Sequence, residues 1–172
     1  MSTEAIEQDE MMSGTKPIAE HAWLQKLVGE WTVESEMVMA PGEPPIHSTS
    51  RESVKSLGGL WAFAEGHSKN PAGNEMTYYN TLGYDVSFKK YLGCYFMDMS
   101  SHLWKTEGEL SADGKTMKLR CVVPNMYRDG ETANYMDVIE LIDEDHRTMT
   151  SFGEDENGVM QQFMVARYTR IK

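Results

Sequence analysis

From Trp31 to the C-terminus the chain is a succession of short runs in which apolar and polar residues alternate. A period of two is the mark of a strand with one dry face and one wet face. The first run is Trp31, Val33, Ser35, Met37 and Met39 against Thr32, Glu34, Glu36 and Val38. Nine more follow, at Ser48–Leu57, Leu60–Ser68, Glu75–Gly83, Tyr91–Met99, His102–Ser111, Thr116–Val123, Asn134–Ile142, Thr148–Gly153 and Val159–Ile171. Turn chemistry separates them: "APGEPP", Gly58-Gly59, Asp113-Gly114, Asn157-Gly158 and the polar stretch "DEDHR" at 143–147. Asp-Gly and Asn-Gly tolerate the positive φ of tight hairpins. About ten consecutive antiparallel strands predict an all-β fold, a single up-and-down barrel in which sequence neighbours are spatial neighbours and closure removes the sheet edges.

One helix precedes the strands. Pro17 to Val28 carries Ile18, Ala22, Leu24, Leu27 and Val28 as a rough apolar stripe, and Gly29 can end it. In a closed meander the first strand pairs with the last, and that end needs a plug. The helix, at about 18–28, supplies it, with Trp31 on the inner face just behind. The last strand offers Arg167 and Arg170 as partners for the indole, and a guanidinium there can also donate to carbonyls of the incoming helix. Taking Met160, Gln162, Met164, Ala166, Tyr168 and Arg170 as inward makes Arg170 that partner and sends Arg167 to solvent. Gly29, Trp31 and Arg170 are thus the expected closure set.

The 172 residues suit one domain: a flexible acidic tail at 1–16, and a barrel at 17–172. A formal charge of −11, with no Lys/Arg cluster, argues against nucleic acid and anionic membrane as partners. No apolar run reaches the ~20 residues that a spanning helix needs, and the first 17 residues lack the apolar core of a secretion signal, which points to the cytosol. Cys94 and Cys121 fall on strands with another strand between, roughly 9.5 Å apart. That is beyond disulfide reach, so free buried thiols are expected.

The Gly-x-Trp at the first strand with an Arg near the C-terminus resembles the calycin superfamily of lipocalins and fatty-acid-binding proteins. A closer resemblance lies in "EHAWLQKLVGEW", "GGLW", "LGYDVSFKKY", "GELSADGKTM", "DVIELIDED" and "ENGVMQQFMVARYTR", which together are similar to the bacterial domain-of-unknown-function family 1579 over residues about 18–171. The resemblance implies a calycin-like barrel and brings no activity with it. The family tends to carry Trp-x-Asp-Ser-Met on the strand after Lys-Lys-Tyr, whereas this chain has Tyr95-Phe96-Met97-Asp98-Met99. A shift of one residue turns a side chain to the other face, so no role is carried over to Asp98.

Fourteen Met residues are a rich supply. Met37, Met39, Met149, Met160 and Met164 fall on strands that adjoin if the barrel closes, and flexible thioethers suit an irregular apolar ligand as well as plain core. Asp137, inward in Tyr135-Asp137-Ile139-Leu141, is costly there unless paired, with Tyr168 or Arg170 as candidates. Trp61, Trp104 and Tyr78 are further candidates for the interior. The expected ligand-binding set is Met37, Met39, Tyr78, Asp137, Met149, Met164, Tyr168 and Arg170. The five histidines form no i, i+2 or i, i+4 pair, and none follows His146, so neither a metal site nor haem is expected, and no cofactor. No nucleophile elbow or phosphate loop is present. Three functions stay open: a binding module for a small apolar or amphipathic molecule, an enzyme using Asp137 with Tyr168, and a solid-core interaction protein. A homodimer stays open as well.

Overall fold

The computed structural model describes residues 14–40, 42–70, 72–125 and 127–172. Most of the expected tail, residues 1–13, lies outside them. A short helix α1 (Ala19–Gln25) leads into ten strands: β1 (Gly29–Met37), β2 (Ile46–Leu57), β3 (Trp61–Lys69), β4 (Glu75–Asp85), β5 (Lys90–Met97), β6 (Trp104–Leu110), β7 (Thr116–Pro124), β8 (Thr132–Leu141), β9 (His146–Glu154) and β10 (Met160–Arg170). All neighbours are antiparallel and β1 pairs with both β2 and β10, so the meander closes as a barrel.

The turns take the chemistry their residues dictate. Gly114 and Gly158 have φ of 68° and 76°, and Asp113 and Asp155 accept backbone N–H groups of the same turns. Asp85 does likewise for Ser87 and Phe88.

α1 is shorter than the expected 18–28, and its buried face differs. Ile18 is extended and exposed, and the helix buries His21, Trp23, Leu24 and, just beyond it, Leu27, rather than Ile18 and Ala22. The reason is polar. His21 Nδ1 accepts the Ile18 amide, which fixes the proton on Nε2, and Nε2–H donates to the Tyr84 carbonyl at 3.1 Å. Trp23 Nε1 donates to the Gly114 carbonyl, Gln25 to that of Gly59, and Tyr91 Oη to that of Glu20. The helix is thereby tied to three separate hairpins across one end of the barrel.

At that same end Trp31 is 1% exposed and donates to the Leu27 carbonyl at 2.9 Å. Arg170, its register partner on β10, lays its guanidinium 4.2 Å from the ring centroid and donates to the carbonyls of Val28, Lys26 and Glu144. Gly29 has φ of 140°, and a Cβ there would overlap the Arg170 guanidinium. Glycine at 29 is needed for both the backbone and the passage of this side chain. Arg167 lies at the surface, paired with Glu36.

A bulge in β10 changes what faces inward. Gln162 pairs with Phe152 and Met164 with Ser151. Residues 151 and 152 point to opposite faces, so Gln162 and Met160 stand outside while Met164, Ala166 and Tyr168 stand inside. The expected inward placement of Met160 and Gln162 is therefore corrected. Met39 lies beyond the end of β1 and is 50% exposed, and Trp61 sits on the outer wall over Gly83, 40% exposed. Neither lines the interior.

Truncating Trp31 to alanine should destabilise the protein by about 3–5 kcal/mol, as loss of a large buried aromatic does. Arg170→Ala should cost less, and the double variant less than the sum, because the two groups touch. Chemical denaturation of the four proteins checks this, and strict additivity would contradict the contact.

Candidate functional site

The interior divides into two halves. Near α1, the inward side chains of Trp31, Val54, Ala62, Met117 and Ile139 are all sealed, with Met117 at 0%. The base of this half holds a charged pair that the strand pattern did not reveal. Arg147 Nη2 donates to Glu52 Oε1 at 2.6 Å, with both side chains 5% exposed. Glu52 Oε2 accepts from the Tyr78 hydroxyl at 3.0 Å. The Arg147 guanidinium lies 3.8 Å from the Tyr168 ring centroid and 4.7 Å from that of Trp31. Trp31 therefore carries a guanidinium contact from Arg147 as well as from Arg170. Burial, together with the negative charge of Glu52, pushes the Tyr78 and Tyr168 phenols far above their ordinary range, so both stay neutral. Arg147 Nε is buried without a hydrogen-bond partner among the described residues.

A cavity of about 30 Å³ adjoins this pair, lined by Leu27, Val54, Leu82, Ile139 and Met149 among others. That is room for one water and not for a ligand. A larger concavity of about 360 Å³ is bordered by Glu109, Lys118 and Arg120, exposed residues of β6 and β7, and by Leu110.

Farther from α1 many inward side chains are only part-buried, although Val123, Ala133 and Ser151 are sealed. Met37, Tyr95, Met97, Trp104, Cys121, Tyr135, Asp137 and Met164 all keep some accessible surface. Aromatic rings crowd one wall: Tyr78 to Tyr95 at 5.7 Å between centroids, Tyr95 to Trp104 at 5.5 Å, and His102 to Trp104 at 4.8 Å. The Tyr78 ring occupies the space above Gly66, where a Cβ would collide with it. The other wall is a register row across four strands, Asp137–Ser151–Met164–Met37. Asp137 Oδ1 accepts from the Ser151 hydroxyl at 2.6 Å. Burial raises the Asp137 carboxyl above its usual range, partly offset by that hydrogen bond. Burial, then the charge of Asp137, pushes the Cys121 thiol up to about 11.

Of the expected ligand-binding set, the structure brings together Met37, Met164 and Asp137 in this row, faces them with Tyr78, and places Met149 deeper beside Ala166. Tyr168 lies at the base under Arg147, with no hydrogen bond to Asp137 among the described residues. Arg170 belongs to the α1 end and does not reach Asp137. Asp98 is exposed and joins β4 to the end of β5 through the Thr77 backbone. Both cysteines are free but part-exposed rather than buried, Cys121 on the inward face and Cys94 beside Thr81. Among the described residues no group of three or more His, Cys, Asp or Glu is placed to hold a metal ion.

These features define a closed ten-stranded antiparallel barrel, sealed by a helix and an Arg–Trp contact at one end and lined by part-open aromatic and Met side chains toward the other. The chain belongs to the family described as "Protein of unknown function (DUF1579)", whose model matches residues 16–170. Two solved structures share the fold at low identity. The S-type phycobiliprotein lyase CPES from Guillardia theta is 11% identical with a TM-score of 0.63, over 90% of this chain and 94% of that one. Rv2717c from M. tuberculosis is 12% identical with a TM-score of 0.64, over 91% of this chain and all of the other. A search of curated proteins finds no match.

Two outcomes test the interior electrostatics. Glu52→Gln and Arg147→Met should each destabilise by about 3–5 kcal/mol, since each leaves a buried charge uncompensated, and the double variant should recover much of the loss. Denaturant midpoints of the three variants decide it. For Asp137, the folded protein holds its proton to higher pH than the unfolded chain does, whose carboxyl titrates near the ordinary 3.8. Its contribution to stability is therefore fullest in acid and declines as pH rises past 3.8 toward the raised value. Relative to Asp137→Asn, the parent protein should lose stability over that window, read by urea unfolding at successive pH values.

Proposed function

We propose that the barrel holds a small apolar or amphipathic molecule in the half of its interior distal to α1. The observation that carries this reading is a group of large side chains, Met37, Met97, Tyr95, Trp104 and Met164, that point inward yet keep accessible surface, whereas Trp31, Val54 and Met117 near the helix are sealed. Pliant thioethers and aromatic faces beside one carboxylate fit an amphipathic guest. The reading includes a cytosolic setting, supported by the two free thiols and the acidic composition. No helix among the described residues is long and apolar enough to cross a membrane.

A second reading, a solid-core interaction protein that could pair with its own copy, is favoured by the small size of the cavity beside Glu52 and Arg147, about 30 Å³. The enzyme reading has less support, because Asp137 bonds Ser151 and Tyr168 is held beneath Arg147.

An environment-sensitive apolar dye should bind with one-to-one stoichiometry, and Met164→Trp should abolish binding while the fold survives, since open space accepts volume that a packed core does not. Fluorescence titration and melting of both proteins read this out. If the dye does not bind and Met164→Trp costs the 1–3 kcal/mol or so of overpacking, the solid-core reading replaces it.

A further inference from the structure

The barrel holds two inward carboxylates, and the fold treats them differently. Glu52 has a guanidinium on one oxygen and a phenol on the other. Asp137 has the Ser151 hydroxyl on Oδ1, and among the described residues it has no cationic partner and no hydrogen bond on Oδ2. An inward carboxylate without a cation is normally costly. This one also keeps some accessible surface, and it stands at one end of a row that continues through Ser151 to Met164 and Met37. Four adjacent strands span roughly 14 Å at about 4.8 Å per spacing. The row thus presents negative charge at one end and two thioethers at the other. Tyr95 points inward like Asp137 and packs edge-on against Trp104, and burial, then the charge of Asp137, raises its phenol. Ring faces next to a carboxylate form a site for a positive group, and a chain of charge −11 draws cations toward itself.

Building on the proposed binding role, we infer that the guest carries a cationic head, a protonated or quaternary amine, which seats on Asp137 against Tyr95 while its apolar tail runs along Met164 and Met37. An anionic amphiphile would meet Asp137 with like charge, and Arg147, the inward cation, is already engaged by Glu52 beneath Tyr168.

The test is calorimetric titration of the full chain with three probes sharing one tail, decyltrimethylammonium, decanol and decyl sulfate, each below its micelle concentration. The expected result is one-to-one binding of the cationic probe at least tenfold tighter than the other two. Asp137→Asn should remove the advantage of the cationic probe over decanol, and Met164→Trp should remove the binding of both. Equal affinity for the cationic and neutral probes, or tighter binding of decyl sulfate, would overturn the head-group inference and leave the binding reading standing. Binding of the cationic probe that survives Met164→Trp would mark adsorption to the acidic surface and also overturn it. No binding of any probe would overturn the binding reading itself. The comparison of head groups on the parent protein decides the matter even where a variant fails to fold.

Discussion

Two guanidiniums within stacking distance of one indole organise the closed end of this barrel. Arg170 approaches Trp31 from the last strand and reaches on to the backbone carbonyls behind α1, while Arg147 approaches it from the interior and joins Glu52. Cation–aromatic contact gains strength where water is excluded, and Trp31 is sealed by Leu27 and the helix. The arrangement is interdependent. Without the helix the indole would be wet, and without the indole Arg170 would lose its aromatic face and Arg147 would keep only that of Tyr168. Without Glu52 the inner guanidinium would be a bare buried charge, the situation in which removing one partner costs most. The seam of the barrel, the plug and the polar base are one assembly.

The distal half follows different physics. There the inward positions alternate large rings with glycine, serine and alanine, as in Gly66 beneath Tyr78 and Gly153 beneath Tyr135. Rings laid over glycines fill the section of the barrel without sealing it. That explains how the enclosed volume is small while many inward side chains keep contact with solvent. The two carboxylates also differ in environment: Glu52 is paired with a guanidinium, and Asp137 bonds only the Ser151 hydroxyl among the described residues.

What the sequence made legible was what is local. Period-two alternation needs only neighbouring residues, and so the ten strands and the hairpins at Asp113-Gly114 and Asn157-Gly158 could be read directly. The Trp31–Arg170 pairing was legible because closure forces the first strand against the last. Arg147 was not, because it follows Asp143, Glu144, Asp145 and His146 and reads as the end of a polar turn, although it opens the inward face of β9. Its partner Glu52 sits on a β2 face that is polar on both sides, Ser48, Ser50 and Glu52 inward, which hides the alternation. The bulge near Phe163 left no mark in the pattern, since both faces of β10 carry apolar residues, so Met160 and Gln162 were assigned to the wrong side. His21 stood outside the apolar stripe read for the helix, yet its ring joins the helix start to the Tyr84 carbonyl.

The seam has a consequence for how the molecule comes into being. The contact of Arg170 with the Val28 carbonyl joins groups 142 residues apart, and no shorter-range contact can substitute for it. Pairings of such separation form late and slowly, because a long loop must close before they are rewarded. During synthesis β1 therefore waits, with one edge unpaired, until almost the whole chain has left the ribosome. Through that interval the alternating charges of its outer face, Glu30, Glu34 and Glu36, are its safeguard against pairing with another chain.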